Sequence, residues 1–187
     1  MARMPTSTPT AYGQRNSLRP IAITMGNAAG ISPEIIAKTF ADTAFIQANP
    51  AFVAGDLGVM QRACAQWAPA LQVRAIASPA EFKPLAGCID VVAVSALPFD
   101  LQMGQIDARA GQAAFDAIRT AIEWANNGQI SGICTAPIHK EALHAAGVPF
   151  PGHTEMLAHY SGVEDYAMIL ANPQLAPRVV HPSTHRR

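Results

Sequence analysis

The sequence predicts an α/β fold, a mostly parallel sheet flanked by helices, and three observations carry that prediction. Short apolar runs of strand length alternate with helical stretches along the chain, the pattern of βα units that share one sheet. Residues 107–127 place Ala110, Ala114, Ala117, Ile118, Ala121, Ile122 and Ala125 at steps of three and four, which gives a helix one buried face. Half of the 187 residues are hydrophobic and only 14% are charged, enough apolar side chain for a core.

The elements follow in order. Residues 1–18 are rich in Ser, Thr, Pro and Arg, carry no acid and lack the apolar stretch of a secretory signal; they read as a flexible tail. Residues 19–187 then form a partial α/β domain. PIAITM (20–25) is the first strand, and a helix over 33–47 follows it. AFVAG (51–55) is the second strand, followed by a helix over 56–67. QVRAIA (72–77) and IDVVAV (89–94) are strands separated by Pro79 and Pro84, which forbid a continuous helix because proline lacks the amide donor and clashes with the preceding turn. The helix over 107–127 stops at Gly128, and QISGICTA (129–136) reads as a buried strand ending at Pro137. A short helix (138–146), a loop (147–154), a helix (155–161) and strands at 165–171 and 178–181 complete the order. No closing helix follows the last strand, so the architecture reads as interrupted.

Composition excludes several classes. Thirteen Lys and Arg balance thirteen Asp and Glu, which argues against nucleic acid held by bulk charge. No run approaches the roughly 20 apolar residues of a membrane span. Cys64, Cys88 and Cys134 are odd in number, far apart and without a CxxC pair, the usage of reduced core thiols in a cytoplasmic protein.

All six histidines, His139, His144, His153, His159, His181 and His185, fall after residue 138, so polar chemistry is expected there. The first strand runs into GNAAGISPE. Gly26 and Gly30 suit positive φ or a close backbone approach, Ser32 suits a helix N-cap, Pro33 the first helical position and Glu34 the first turn. The loop matches neither GxGxxG nor the phosphate loop, which leaves a tight structural turn and a ligand loop both open.

The stretch CTAPIHKEALHAAGVPFPGHTEM (134–156) sets His139, Lys140, His144, His153 and Thr154 beyond the carboxyl end of a buried strand, where ligands bind in open α/β sheets. Lys140 in a first helical turn opposes the helix dipole, and an anion would explain it. His153 precedes a helix, so its ring and the amides of Thr154 and Glu155 can converge on a phosphate or carboxylate. The competing reading is a capping turn with exposed polar groups. A zinc-protease site fails on spacing. His153 and His159 are six apart and His139 and His144 five apart, whereas HExxH needs four to put both ligands on one helical face. His185 would be one ligand of a site completed from elsewhere.

Together TMGNAAGISPE (24–34), TAPIHKEALHAAGVPFPGHTEML (135–157) and RVVHPSTH (178–185) resemble the 4-hydroxythreonine-4-phosphate dehydrogenase family over essentially residues 19–185, and Gly104, Gln105 and Gly111 fit its pattern as well. The resemblance implies a fold like that of isocitrate and isopropylmalate dehydrogenases, with the C-terminal part missing. It implies a homodimer that uses NAD and a divalent metal (Zn, Mg or Co) on a small phosphorylated hydroxy acid. The family reaction oxidises 4-phosphooxy-threonine, with loss of CO2, in pyridoxal phosphate biosynthesis; relatives use 4-phospho-threonate or 4-phospho-erythronate, and a distant branch uses aromatic dihydrodiols. By the same resemblance PGHTE carries substrate contact onto His153 and Thr154, TAPIHK makes Lys140 a phosphate or carboxylate partner, and STH makes His185 a metal ligand.

Two departures stand out. Asn27, Ala28 and Ser32 replace the acid, proline and glycine of the family's first loop, GDPAGIGPE. Members also continue well past the STH histidine and there supply two further metal histidines. The alternative expectation is therefore a catalytically inactive truncated fragment that at most binds phosphorylated acids or a partner subunit.

Overall fold

A computed structural model describes residues 19–172 and 175–182. The tail expected over 1–18 and the expected metal ligand His185 lie outside the described residues. Strands β1 (Ile21–Thr24), β2 (Ala51–Asp56), β3 (Gln72–Ile76), β4 (Cys88–Ser95) and β5 (Gly132–Thr135) form one sheet in the order β3-β4-β2-β1-β5. Every pairing in it is parallel, with Ile21 level with both Ala51 and Gly132. The α/β expectation is met. All six residues of β2 are buried, as a central parallel strand covered on both faces requires.

Helices α1 (Ser32–Ala41), α2 (Thr43–Ala48) and α3 (Leu57–Trp67) follow β1 and β2. Ile36, Phe40, Met60 and Cys64 of α1 and α3 pack on Val53, Ile89 and Val91 on one sheet face. Helix α4 (Ala108–Asn126) covers the other face, where Ala121 meets Ala22, Phe52 and Val92. The period of two in the strands thus sends Phe52 to one core and Val53 to the other. Helices α5 (Lys140–Ala145) and α6 (His153–Ser161) dock on the flank of α4 through Leu143, Val148 and Met156 against Ile118 and Ile122.

Three expectations are corrected. The helix over 33–47 is two helices, because the Asp42 carboxylate accepts the Phe45 amide at 3.0 Å and starts α2 afresh. The N-cap position of α1 is Ile31, and Ser32 turns its hydroxyl to the Pro137 carbonyl. The strand expected from 129 begins at Gly132, since the amides of Gln129 and Ser131 go to the carbonyls of Trp124 and Pro20. The last strands, β6 (Ala167–Asn172) and β7 (Leu175–Pro182), pair antiparallel as a separate ribbon. Among the described residues no helix is long and apolar enough to cross a membrane.

Candidate functional site at the carboxyl rim of the sheet

The chain leaves β1 through Met25 and reaches Gly26 at φ +68°. A Cβ there would lie 2.9 Å from the Ala136 carbonyl oxygen and closer still to that of Pro137, so only glycine lets the two strand ends approach. The Asn27 amide and the Ser32 hydroxyl donate to the Pro137 carbonyl at 2.9 and 2.7 Å. Within the loop Asn27 Oδ1 accepts the Ala29 amide, the Asn27 carbonyl accepts the Gly30 amide, and the Gly104 amide reaches the Ala29 carbonyl. Residues 25–29 are buried. Within the glycine loop the Ala29 and Gly30 amides therefore bond back to Asn27, which retains the oxygen that this turn needs.

Beyond β5 the Ala136 amide donates to the Thr24 carbonyl, and the chain turns into α5. His139 caps that helix, its Nδ1 accepting the Ala142 amide at 3.3 Å; for this histidine the capping reading holds. Lys140 is the first residue of α5, exposed, and forms no ion pair with any described residue. Ala142 and Leu143 are buried. A Cβ on Gly111 of α4 would lie 2.8 Å from the Leu143 amide nitrogen and overlap the Ala142 carbonyl outright, so α5 rests directly on the α4 backbone.

His153 opens α6 two residues earlier than expected. Burial lowers its pKa from the ordinary 6.5, and the nearby Ala136 carbonyl opposes that shift. The ring is partly buried, and Nε2 is enclosed with no hydrogen-bond partner. An enclosed imidazole nitrogen without a partner is a group that a ligand can satisfy. Thr154 lies half-buried in the same turn, and Gly152 provides no side-chain cap to the α6 amides. His153 thus lies beside Ala136, just past the end of β5, with Thr154 next to it in the first turn of α6. His159 instead packs on the rings of Phe150 and Tyr160, and His144 is exposed in the last turn of α5.

Sequence reasoning missed three polar side chains at this rim. Thr24, at the end of β1, is fully buried with no partner for its hydroxyl, and Ser95, at the end of β4, has an enclosed hydroxyl in the same condition. Asp56, at the end of β2, is 3% exposed and holds the amides of Val59 and Leu97. Their common signal is a polar residue closing an apolar strand run. Among the described residues no group of three or more His, Cys, Asp or Glu is placed to hold a metal ion. The described residues alone therefore do not make the expected metal site.

An open parallel sheet with helices on both faces defines the chain as an α/β protein. Residues 47–187 match the family described as pyridoxal phosphate biosynthetic protein PdxA, and the chain belongs to that family. It is 43% identical over 166 residues to the D-threonate 4-phosphate dehydrogenase of Cupriavidus necator, covering 88% of this chain and 49% of the relative. It is 47% identical over 156 residues to the 4-hydroxythreonine-4-phosphate dehydrogenase of Beijerinckia indica, covering 83% and 46%. The crystal structure of a 4-hydroxythreonine-4-phosphate dehydrogenase from Burkholderia phymatum superposes with a TM-score of 0.82 at 43% identity, covering 89% of this chain and 50% of that one. A terephthalate 1,2-cis-dihydrodiol dehydrogenase from Burkholderia xenovorans superposes less well, at 0.59 and 29%. The chain spans about half the length of the curated relatives it matches.

Proposed function

We propose that this chain supplies the phosphorylated-acid subsite of a dehydrogenase that oxidises, with decarboxylation, a small phosphorylated hydroxy acid such as 4-phosphooxy-threonine. The enclosed, unpartnered Nε2 of His153 at the end of β5 carries this reading. Its lowered pKa keeps the imidazole neutral near pH 7, so it can orient a hydroxyl or phosphate oxygen without adding charge. The Thr154 hydroxyl and amide add donors in the first turn of α6, where the helix dipole favours an anion. Lys140 brings the cation, and charge-assisted bonds of this kind contribute about 1.5–3 kcal/mol each.

The family resemblance adds NAD, a divalent metal with His185 as one ligand, a homodimer and a cytoplasmic location to the proposal. The exposed Met168, Ile169 and Leu170 of β6 support association with a second copy. A metal would stabilise alkoxide and enolate charge when bound. A second reading is binding without turnover.

Calorimetry with D-threonate 4-phosphate and 4-phosphooxy-threonine tests the subsite. Affinity should fall about tenfold or more in His153→Ala and in Lys140→Ala, and equal affinity in all three proteins would sink it. Absorbance of NADH, followed with NAD and Mg, Zn or Co, separates the two readings: turnover lost in His185→Ala supports the dehydrogenase, and binding with no absorbance change supports the second.

A further inference from the structure

We propose that Ser32 and Gly111 are positioning residues of the anion subsite: from two different helices they restrain the Pro137 and Ala142 carbonyls and so set where Lys140 stands. The inference rests on the anion-binding reading and deepens it.

Lys140 lies three residues after one anchored carbonyl and two before the other. The segment leaves an edge strand and turns into a helix of only six residues, too short to hold its own place without tertiary contacts. Upstream, the Pro137 carbonyl accepts both the Asn27 amide and the Ser32 hydroxyl. Ser32 is 1% exposed, and its hydroxyl serves no helix cap; it is directed to a carbonyl 105 residues away. Downstream, the Ala142 carbonyl sits where any side chain on Gly111 would stand. Lys140 and Ala142 share one turn of α5, so a displacement of Ala142 is felt at Lys140. His153 senses the same segment through the Ala136 carbonyl.

Both contacts act on geometry. Removing the Ser32 hydroxyl leaves the Pro137 carbonyl still bonded to the Asn27 amide, so the fold should survive while the segment loses its second restraint. Ser32→Ala should weaken binding of D-threonate 4-phosphate about threefold to tenfold while the chain stays folded, its melting temperature lower by only a few degrees. Gly111→Ala should weaken it about tenfold or more by pushing α5 off α4. Because Ser32 acts through Lys140, the double variant Ser32→Ala/Lys140→Ala should bind no more weakly than Lys140→Ala alone.

Calorimetry on the 187-residue chain and its variants reads the affinities, and amide resonances of residues 138–143 with the His153 ring resonances read the geometry without ligand. Additive losses in the double variant, or unchanged affinity together with unchanged resonances, would overturn the proposal. Should Gly111→Ala fail to fold, Ser32→Ala carries the test alone. If the wild-type chain binds no phosphorylated acid, the anion-binding reading falls separately. Resonance changes at Lys140 and His153 in Ser32→Ala then uphold the positioning role, and changes confined to the neighbours of Ser32 refute it.

Discussion

Asp56 at the end of β2 accepts the amide of Leu97, beyond β4, on Oδ2 at 2.6 Å, while its Oδ1 accepts the Val59 amide at 2.8 Å and caps α3. One buried carboxylate thereby joins two strand ends and a helix start. Asp56→Ala leaves both amides without a partner. It should lower stability by about 2–3 kcal/mol in urea unfolding at pH 7, and Asp56→Asn, which keeps one acceptor, should lose less.

His153 makes stability depend on pH. Burial holds its folded pKa below the ordinary 6.5, so on acidification the unfolded chain takes up the proton first. The contribution of the neutral ring is complete above pH 6.5 and is lost as pH falls through the lower folded value. The urea midpoint should fall more steeply from pH 7.5 to 5.5 in the wild type than in His153→Gln. Equal slopes would refute the assignment.

Leu143 is 1% exposed and anchors α5 in the cluster with Ile118, Ile122 and Met156. Leu143→Ala should cost about 2–5 kcal/mol. It should also speed hydrogen exchange of the amides of residues 142–146 more than those of β2, since a short helix depends on its docking contacts.

The three thiols should react in order of exposure and thiolate character. Cys134 is exposed, Cys88 is intermediate with its pKa raised mainly by burial, and Cys64 is buried with its pKa pushed up to about 11. Timed iodoacetamide labelling with mass spectrometry should modify Cys134 first and Cys64 last, the latter on the timescale of unfolding. Early labelling of Cys64 would show that the α1–α3 face opens readily.

Most of the fold was legible in local pattern. The apolar steps of α4 predicted the buried face that Ala110, Ala114, Ala117, Ile118, Ala121 and Ile122 form. The break at Asp42 was hidden because TAFIQA continues a helical composition, and only the Asp42 cap interrupts it. The antiparallel partnership of β6 and β7 has no marker in either strand, since alternation along a strand does not record the direction of its neighbour.

The site was legible in part. His153 and Thr154 stood out as polar residues just before a helix, and the structure puts them in its first turn. Thr24 and Ser95 went unnoticed because a hydroxyl in or next to an apolar run looks like any strand residue until its partners are counted.

By itself the sequence determined the α/β class, the long amphipathic helix and the family, because composition, periodicity and motif spacing are properties of neighbouring residues. Only the tertiary structure decided that the glycine loop is tied through the Asn27 amide to Pro137, that Ser32 holds the same carbonyl, and that Gly111 seats α5. Those outcomes depend on backbone groups far apart in the chain meeting within hydrogen-bond or contact distance, and no local pattern encodes that distance.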